Sequence, residues 1–178
     1  MIKKQIIYFF LLLVSHLPAL KCTAQSDVSG YPVPVIGTTA FNIQGIDSSG
    51  NKRDLFSLKE NTIFLFFYET SCHLCEAVLP DLIQNYERWK ASGIEIYSVA
   101  ISNDHDIWKG FLREHPTPWI NVMDTVNKDT IVSTFKINVS PTIYALDKNK
   151  RIASSRMVRA EMIEEWLKEN YKSTPQQK

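Results

Sequence analysis

Two stretches of the chain are apolar at most positions, and both predict buried β-strands. Residues 63–68 form the first stretch and residues 94–101 the second, as expected for central strands covered on both faces. Between them, apolar residues recur at helical spacing, which predicts a long amphipathic helix that stops at Ser92 and Gly93. Pro80 lies inside this helix and should kink it, because proline cannot donate the helical hydrogen bond.

The rest of the pattern alternates shorter strands and helices. Strands are predicted at 41–46, 119–123 and 143–146, with 151–153 as a hairpin partner of the last, and helices at 107–114, 126–135 and 157–171, with a helical turn near 55–58. Strands that alternate with helices, followed by a final hairpin and helix, predict one compact α/β domain. This domain spans residues 41–171 and has helices on both faces of its sheet.

Both ends of the chain are expected to lie outside this domain. Residues 1–24 combine early lysines, a short apolar run and small residues near a cleavage point, which predicts a secretory signal peptide cut after Ala24. Residues 25–40 are rich in Pro, Gly, Ser and Thr and predict an extended lead-in, and residues 172–178 predict a polar tail. A competing interpretation makes Cys22 the lipid-bearing first residue of a lipoprotein, but the lysine before it fits that site poorly.

Composition limits the classes of partner. The chain has 178 residues, of which 44% are hydrophobic and 22% charged, and its formal net charge is +1, which is an ordinary globular composition. A charge so close to neutral disfavours nucleic acid or an anionic membrane surface as the main partner. The apolar run near the N-terminus is too short to span a bilayer comfortably, so no stable membrane span is expected.

The candidate chemistry lies where the first buried strand meets the long helix. Cys72 and Cys75 stand at the predicted helix start, so their side chains share one face and are close enough to form a disulfide. The unpaired N–H groups and partial positive charge of a helix N-terminus favour the thiolate of the first cysteine, which is the reactive form. This arrangement predicts thiol–disulfide exchange.

Other interpretations of the cysteine pair stay open. If Cys22 leaves with the signal peptide, Cys72 and Cys75 are the cysteines of the mature chain, and a structural disulfide across so short a loop would gain little stability. A zinc site would need four ligands, and this segment supplies at most three, the third being His73. If His73 is charged, it would stabilise the Cys72 thiolate. The alternative is that His73 is a solvated spacer with no role in the chemistry.

With these elements in place, the chain resembles the thioredoxin family. The resemblance covers roughly residues 41–171 and is carried by the strand, the C-x-x-C motif at a helix start, the next strand–helix–strand unit, and Ser140-Pro141-Thr142 before the hairpin. The N-terminal extension, the secretion signal and Pro80 resemble the TlpA/ResA-like extracytoplasmic group. This resemblance implies a thioredoxin-like fold, with a central mixed sheet flanked by helices and an N-terminal extension.

The resemblance also implies roles for individual residues. Cys72 would attack the substrate disulfide and Cys75 would resolve the mixed disulfide, with no organic cofactor and no metal. Pro141 would be cis and would expose the backbone of Ser140 to an extended substrate segment. Together with His73, these two residues form the predicted substrate-binding set.

The chain departs from the family pattern around the second cysteine. Val78 stands where many TlpA/ResA-like proteins carry a glutamate, Ser71 replaces a common tryptophan, and the strand before the motif lacks the buried aspartate of thioredoxin. The usual proton acceptor for the second cysteine is therefore missing. Glu69 and Glu76 are candidate substitutes, and each is equally compatible with a solvated role.

The predicted function is that of a secreted or periplasmic thiol–disulfide oxidoreductase whose Cys72–Cys75 pair exchanges electrons with cysteines of partner proteins. The direction is open, since a reductant would draw electrons from a membrane donor and could serve apocytochrome c, whereas an oxidant or isomerase would not. The alternative is a non-catalytic thioredoxin-fold binding module whose disulfide is only structural.

Overall fold

The structure is a computed structural model that describes residues 33–124 and 126–171. The predicted signal peptide with Cys22, the first half of the predicted lead-in and the predicted polar tail lie outside the described residues. The described end of the lead-in runs beside the turn that follows the last strand, where Ala40 donates a backbone hydrogen bond of 2.8 Å to the Lys150 carbonyl.

The strands and helices of the described residues follow one another along the chain in the predicted order. The strands are β1 (Gln44–Ile46), β2 (Lys52–Asp54), β3 (Thr62–Tyr68), β4 (Ile94–Ala100), β5 (Ile120–Met123) and β6 (Thr142–Asp147). The α-helices are α1 (His73–Ala91), α2 (His105–Glu114), α3 (Lys128–Thr134) and α4 (Ala160–Asn170), and a 3-10 turn spans Leu55–Ser57. None of these helices combines the length and apolar character that crossing a bilayer requires.

The strands form one mixed sheet in the order β2-β1-β5-β4-β3-β6. The β3–β4 and β4–β5 pairs are parallel, while β6 is antiparallel to β3 and β1 is antiparallel to β5. Parallel neighbours need a crossover connection, which α1 supplies between β3 and β4 and α2 supplies between β4 and β5. The central mixed sheet flanked by helices agrees with the predicted fold class.

β3 is buried along its whole length, and its alternation divides the core into two clusters. Phe64, Phe66 and Tyr68 point into the cluster formed with α1, α2 and α4. The intervening side chains of β3 point to the opposite face, where α3, the 3-10 turn and the N-terminal segment cover them. Helices therefore lie on both faces, which explains why this strand has no polar face in the sequence.

Three local features differ from the expectations. β2 was not predicted, because its three residues are Lys, Arg and Asp and carry no apolar pattern. β2 pairs with β1 across a turn in which the Asp47 side chain accepts backbone N–H groups. The predicted hairpin partner of β6 forms isolated bridges, such as Leu146 with Ile152, rather than a strand. The last helix begins at Ala160, three residues later than expected.

We expect Phe64→Ala to lower the free energy of unfolding by about 3–5 kcal/mol, the usual cost of deleting a buried aromatic ring. Phe64 is fully buried and packs edge-on against Trp89 and Trp166, at ring-centre distances of 5.7 and 5.9 Å. Urea unfolding measures the loss. Ile107→Ala is the control, since Ile107 is 59% exposed and its loss should stay within about 0.5 kcal/mol; equal losses would contradict this account of the core.

Candidate active site

The first cysteine lies at the junction between β3 and α1. Cys72 is the N-cap residue of α1, and its sulfur accepts a hydrogen bond from the Cys75 backbone N–H at 3.2 Å. Its own N–H donates to the Glu69 carbonyl at 3.2 Å, which closes the turn between the strand and the helix. The sulfur thus takes the position that a serine or aspartate oxygen takes in common helix N-caps, facing a backbone donor.

The two sulfurs differ in their access to solvent. Both cysteines are free thiols, and Cys72 is partly exposed while Cys75 is 0% exposed. Burial raises the pKa of the Cys75 thiol well above its ordinary value, and a hydrogen bond with Cys72 raises the same pKa further. A backbone hydrogen bond from Glu69 to Cys75 acts in the opposite direction without cancelling the effect.

The loop before β6 brings the predicted proline to this pair. The Ser140–Pro141 peptide bond is cis, and the Cys72 thiol donates to the Ser140 carbonyl at 3.4 Å. These residues are 68 positions apart in the sequence, so the contact depends on the antiparallel pairing of β6 with β3. The structure therefore brings together four of the five residues predicted for the site.

His73 is the fifth, and its side chain lies in solvent. Its side chain is 96% exposed, and its Nδ1 lies 3.6 Å from a carboxylate oxygen of Glu76. In residues 33–124 and 126–171, no group of three or more Cys, His, Asp or Glu side chains could hold a metal ion. The zinc alternative thus lacks a ligand set in the described part of the chain.

The family profile that matches this chain covers residues 36–155 and is described as the AhpC/TSA family. The chain belongs to the AhpC/TSA family. Among curated relatives, the thiol-disulfide oxidoreductase ResA of Bacillus cereus is 29% identical over 117 residues, which is 66% of each chain. The chain thus matches about two thirds of the length of this relative.

Two solved structures also resemble this chain. A domain of a possible thiol-disulfide isomerase from Cytophaga hutchinsonii is 30% identical, with a TM-score of 0.69 over 76% of this chain and 93% of that one. The thioredoxin domain of a thiol-disulfide oxidoreductase from Bacteroides vulgatus is 24% identical and has a TM-score of 0.70 over 76% of this chain and 96% of that one, which supports the fold. The predicted thioredoxin-like fold and the resemblance to TlpA/ResA-like proteins are confirmed.

An apolar side chain occupies the position at which many TlpA/ResA-like proteins carry a glutamate. Val78 is 6% exposed and belongs to the core cluster that also contains Cys75. It also borders a groove of about 440 Å³ beside the cis proline. The apolar residues lining this groove are Leu74, Ala77, Val78, Val139, Pro141 and Val158.

Two side chains near the cysteines were missed or left open by sequence reasoning. The Tyr68 hydroxyl accepts a hydrogen bond from Trp108 Nε1 at 2.8 Å and lies close enough to Cys75 for their charges to interact. Burial raises the pKa of Tyr68, so this hydroxyl keeps its proton. The Glu69 carboxylate accepts a hydrogen bond from the Ser140 hydroxyl at 3.3 Å, whereas a carboxylate oxygen of Glu76 lies 3.6 Å from His73 Nδ1.

Tyr68 could have been suspected from the sequence, because it is the one phenol in a strand whose residues between Thr62 and Tyr68 are all hydrocarbon, and a buried hydroxyl needs a partner. The Glu69 contact had no comparable sequence signal. It depends on where the loop that carries Ser140 crosses the end of β3.

In the reduced protein at pH 7, we expect iodoacetamide to modify Cys72 at least about tenfold faster than Cys75, because alkylation needs an accessible thiolate. Cys75 is buried and its pKa is raised, so few molecules present that reactive form. Peptide mass spectrometry at timed quenches measures both rates. In guanidinium the two rates should converge, and equal rates in the folded protein would contradict the assigned asymmetry.

Proposed function

We propose that this chain is an extracytoplasmic thiol–disulfide oxidoreductase that exchanges electrons between the Cys72–Cys75 pair and the cysteines of partner proteins. The observation that carries the proposal is the asymmetric pair itself. One sulfur is accessible at a helix N-terminus, and the other is buried in the first turn of the same helix. The relatives named thiol-disulfide oxidoreductases support the reaction class.

In the reductive direction, Cys72 Sγ attacks one sulfur of a substrate disulfide. A bond forms between Cys72 and that sulfur, the substrate S–S bond breaks, and the second substrate sulfur leaves as a thiolate. Cys75 Sγ then attacks Cys72, releasing the first substrate sulfur and leaving a Cys72–Cys75 disulfide. Two electrons have passed from the enzyme dithiol to the substrate, and the Cys75 thiol has lost its proton. The oxidative direction is the same sequence reversed.

The substrate would lie across the loop that carries the cis proline. The Ser140 carbonyl already accepts a hydrogen bond from the Cys72 thiol, so a segment seated beside this backbone would be close to the attacking sulfur. The apolar groove beside Pro141 would receive a side chain of that segment. His73 would meet an approaching substrate from solvent, because its ring is exposed next to Cys72.

The location and partners rest on the sequence. The signal peptide pattern of residues 1–24 and a mature chain with a single cysteine pair fit an oxidising compartment, either the periplasm or the medium. Following the TlpA/ResA-like resemblance, a reductant would take electrons from a membrane donor, and apocytochrome c is a candidate substrate. We place the folded domain at residues 41–171.

We expect the protein to accelerate the reduction of insulin by dithiothreitol several-fold, because Cys72 presents an accessible sulfur and Cys75 can resolve the adduct. The turbidity of precipitating insulin B chain measures the rate. Cys72→Ser and Cys75→Ser should both fall to the rate of dithiothreitol alone while keeping the thermal unfolding midpoint of the reduced parent. A parent rate no higher than that of Cys72→Ser would favour the rival function, a non-catalytic thioredoxin-fold binding module.

A further inference from the structure

The resolving step of the proposed exchange leaves one proton without an assigned acceptor. An acceptor is needed only if the protein carries out this exchange, so the inference rests on the proposed function. When the buried Cys75 thiol attacks Cys72, its proton has to move to another group. Many TlpA/ResA-like proteins have a glutamate at the position of Val78, and a valine side chain cannot accept a proton. β3, whose sequence is TIFLFFY, offers no carboxylate either.

The other groups facing Cys75 are poor acceptors. The Tyr68 hydroxyl is buried and already accepts a hydrogen bond from Trp108, and it keeps its own proton. Glu76 on α1 pairs with exposed His73. The charged residues that line the neighbouring groove are Asp81 on α1 and, at the start of α4, Arg159 and Glu161, which pair with each other.

Glu69 lies beside the exchange pair. Its carbonyl accepts the Cys72 N–H at 3.2 Å, and its carboxylate accepts the Ser140 hydroxyl at 3.3 Å. The carbonyl of the same Ser140 accepts the Cys72 thiol at 3.4 Å, so the carboxylate and the pair share one loop. The Glu69 backbone lowers the pKa of Cys75, and the charge of its carboxylate raises that pKa. The residue is otherwise exposed, so a proton taken up by the carboxylate can pass on to solvent.

We propose that the Glu69 carboxylate accepts the Cys75 proton in the resolving step, and that the Ser140 hydroxyl holds the carboxylate in place. As Cys75 Sγ bonds to Cys72 Sγ, the bond from Cys72 to the substrate sulfur breaks and that sulfur leaves as a thiolate. The proton moves from Cys75 to Glu69 and then to water. The carboxylate thus performs, from the turn before the motif, the task that a helix glutamate performs in many relatives.

The test uses the full reduced protein and one equivalent of dithiobis(nitrobenzoate) in a stopped-flow instrument. Attack by Cys72 releases a first coloured thiol, and attack by Cys75 on the resulting mixed disulfide releases a second. The second rate is recorded from about pH 6 to about pH 10, a range that brackets an ordinary thiol pKa.

Glu69→Gln keeps an oxygen for the Ser140 hydroxyl but removes the base. Glu76→Gln is the matched control, because it removes an acid one residue after Cys75 that faces His73.

We expect Glu69→Gln to slow the second release at least about tenfold at pH 7. A positioned general base usually contributes about a hundredfold or more, so tenfold is a conservative threshold. The gap should narrow toward high pH, because the rising hydroxide concentration removes the proton at an increasing rate without help from the carboxylate. Glu76→Gln should keep the parent's pH dependence. The first release should be present in all three proteins.

Two results would overturn the assignment. A second release that is unchanged or faster in Glu69→Gln at pH 7 would mean that the carboxylate acts on Cys75 only through its charge, which opposes thiolate formation. A loss by the same factor at every pH would mean that Glu69 only holds the turn. Failure of the parent itself to give a second release would count against the proposed function, whereas a normal parent with an unaffected variant counts against Glu69 alone.

Discussion

The burial of Cys75 directly behind a partly exposed Cys72 is the constraint on which the site depends. Desolvation disfavours a charged Cys75 sulfur, so this thiol stays protonated until a mixed disulfide offers it a target. Cys72 faces solvent, a backbone donor and the Ser140 carbonyl. The order of the two steps in the proposed exchange follows from this difference, since the sulfur that can meet a partner protein is the one at the surface.

The fold creates this difference through two neighbouring elements. β3 is enclosed on both faces and ends at Tyr68, so the turn that follows brings the chain to the surface within four residues. α1 then packs an apolar face onto the sheet, and Cys75 is the first residue on that face. Cys72 stays at the edge as the N-cap residue. The pairing of β6 with β3 finally sets the loop with Ser140 against the exposed sulfur.

The parts of this arrangement that depend on local sequence were predictable. The buried strand and the long helix follow from the hydrophobic pattern, and the cysteine spacing is read directly from the sequence. The family resemblance implied the cis proline at 141. The edge strand β2 was not predictable, because three polar residues carry no strand signal and form a strand only by pairing with β1. The contact between Glu69 and Ser140 joins residues 71 positions apart and depends on loop geometry that no short motif encodes. For His73, either orientation was compatible with the sequence, and packing left it in solvent.

Covalent trapping on a protein disulfide is the most direct test of the central claim, the division of labour between the two sulfurs. Cys75→Ser and Cys72→Ser are each incubated in reduced form with insulin, and the products are separated without reductant and mapped by mass spectrometry. The account predicts that Cys75→Ser accumulates an insulin adduct through Cys72, because the attack occurs but the resolving thiol is missing. Cys72→Ser should yield little adduct, because Cys75 is buried. Equal trapping by the two variants, or trapping by Cys72→Ser alone, would contradict it.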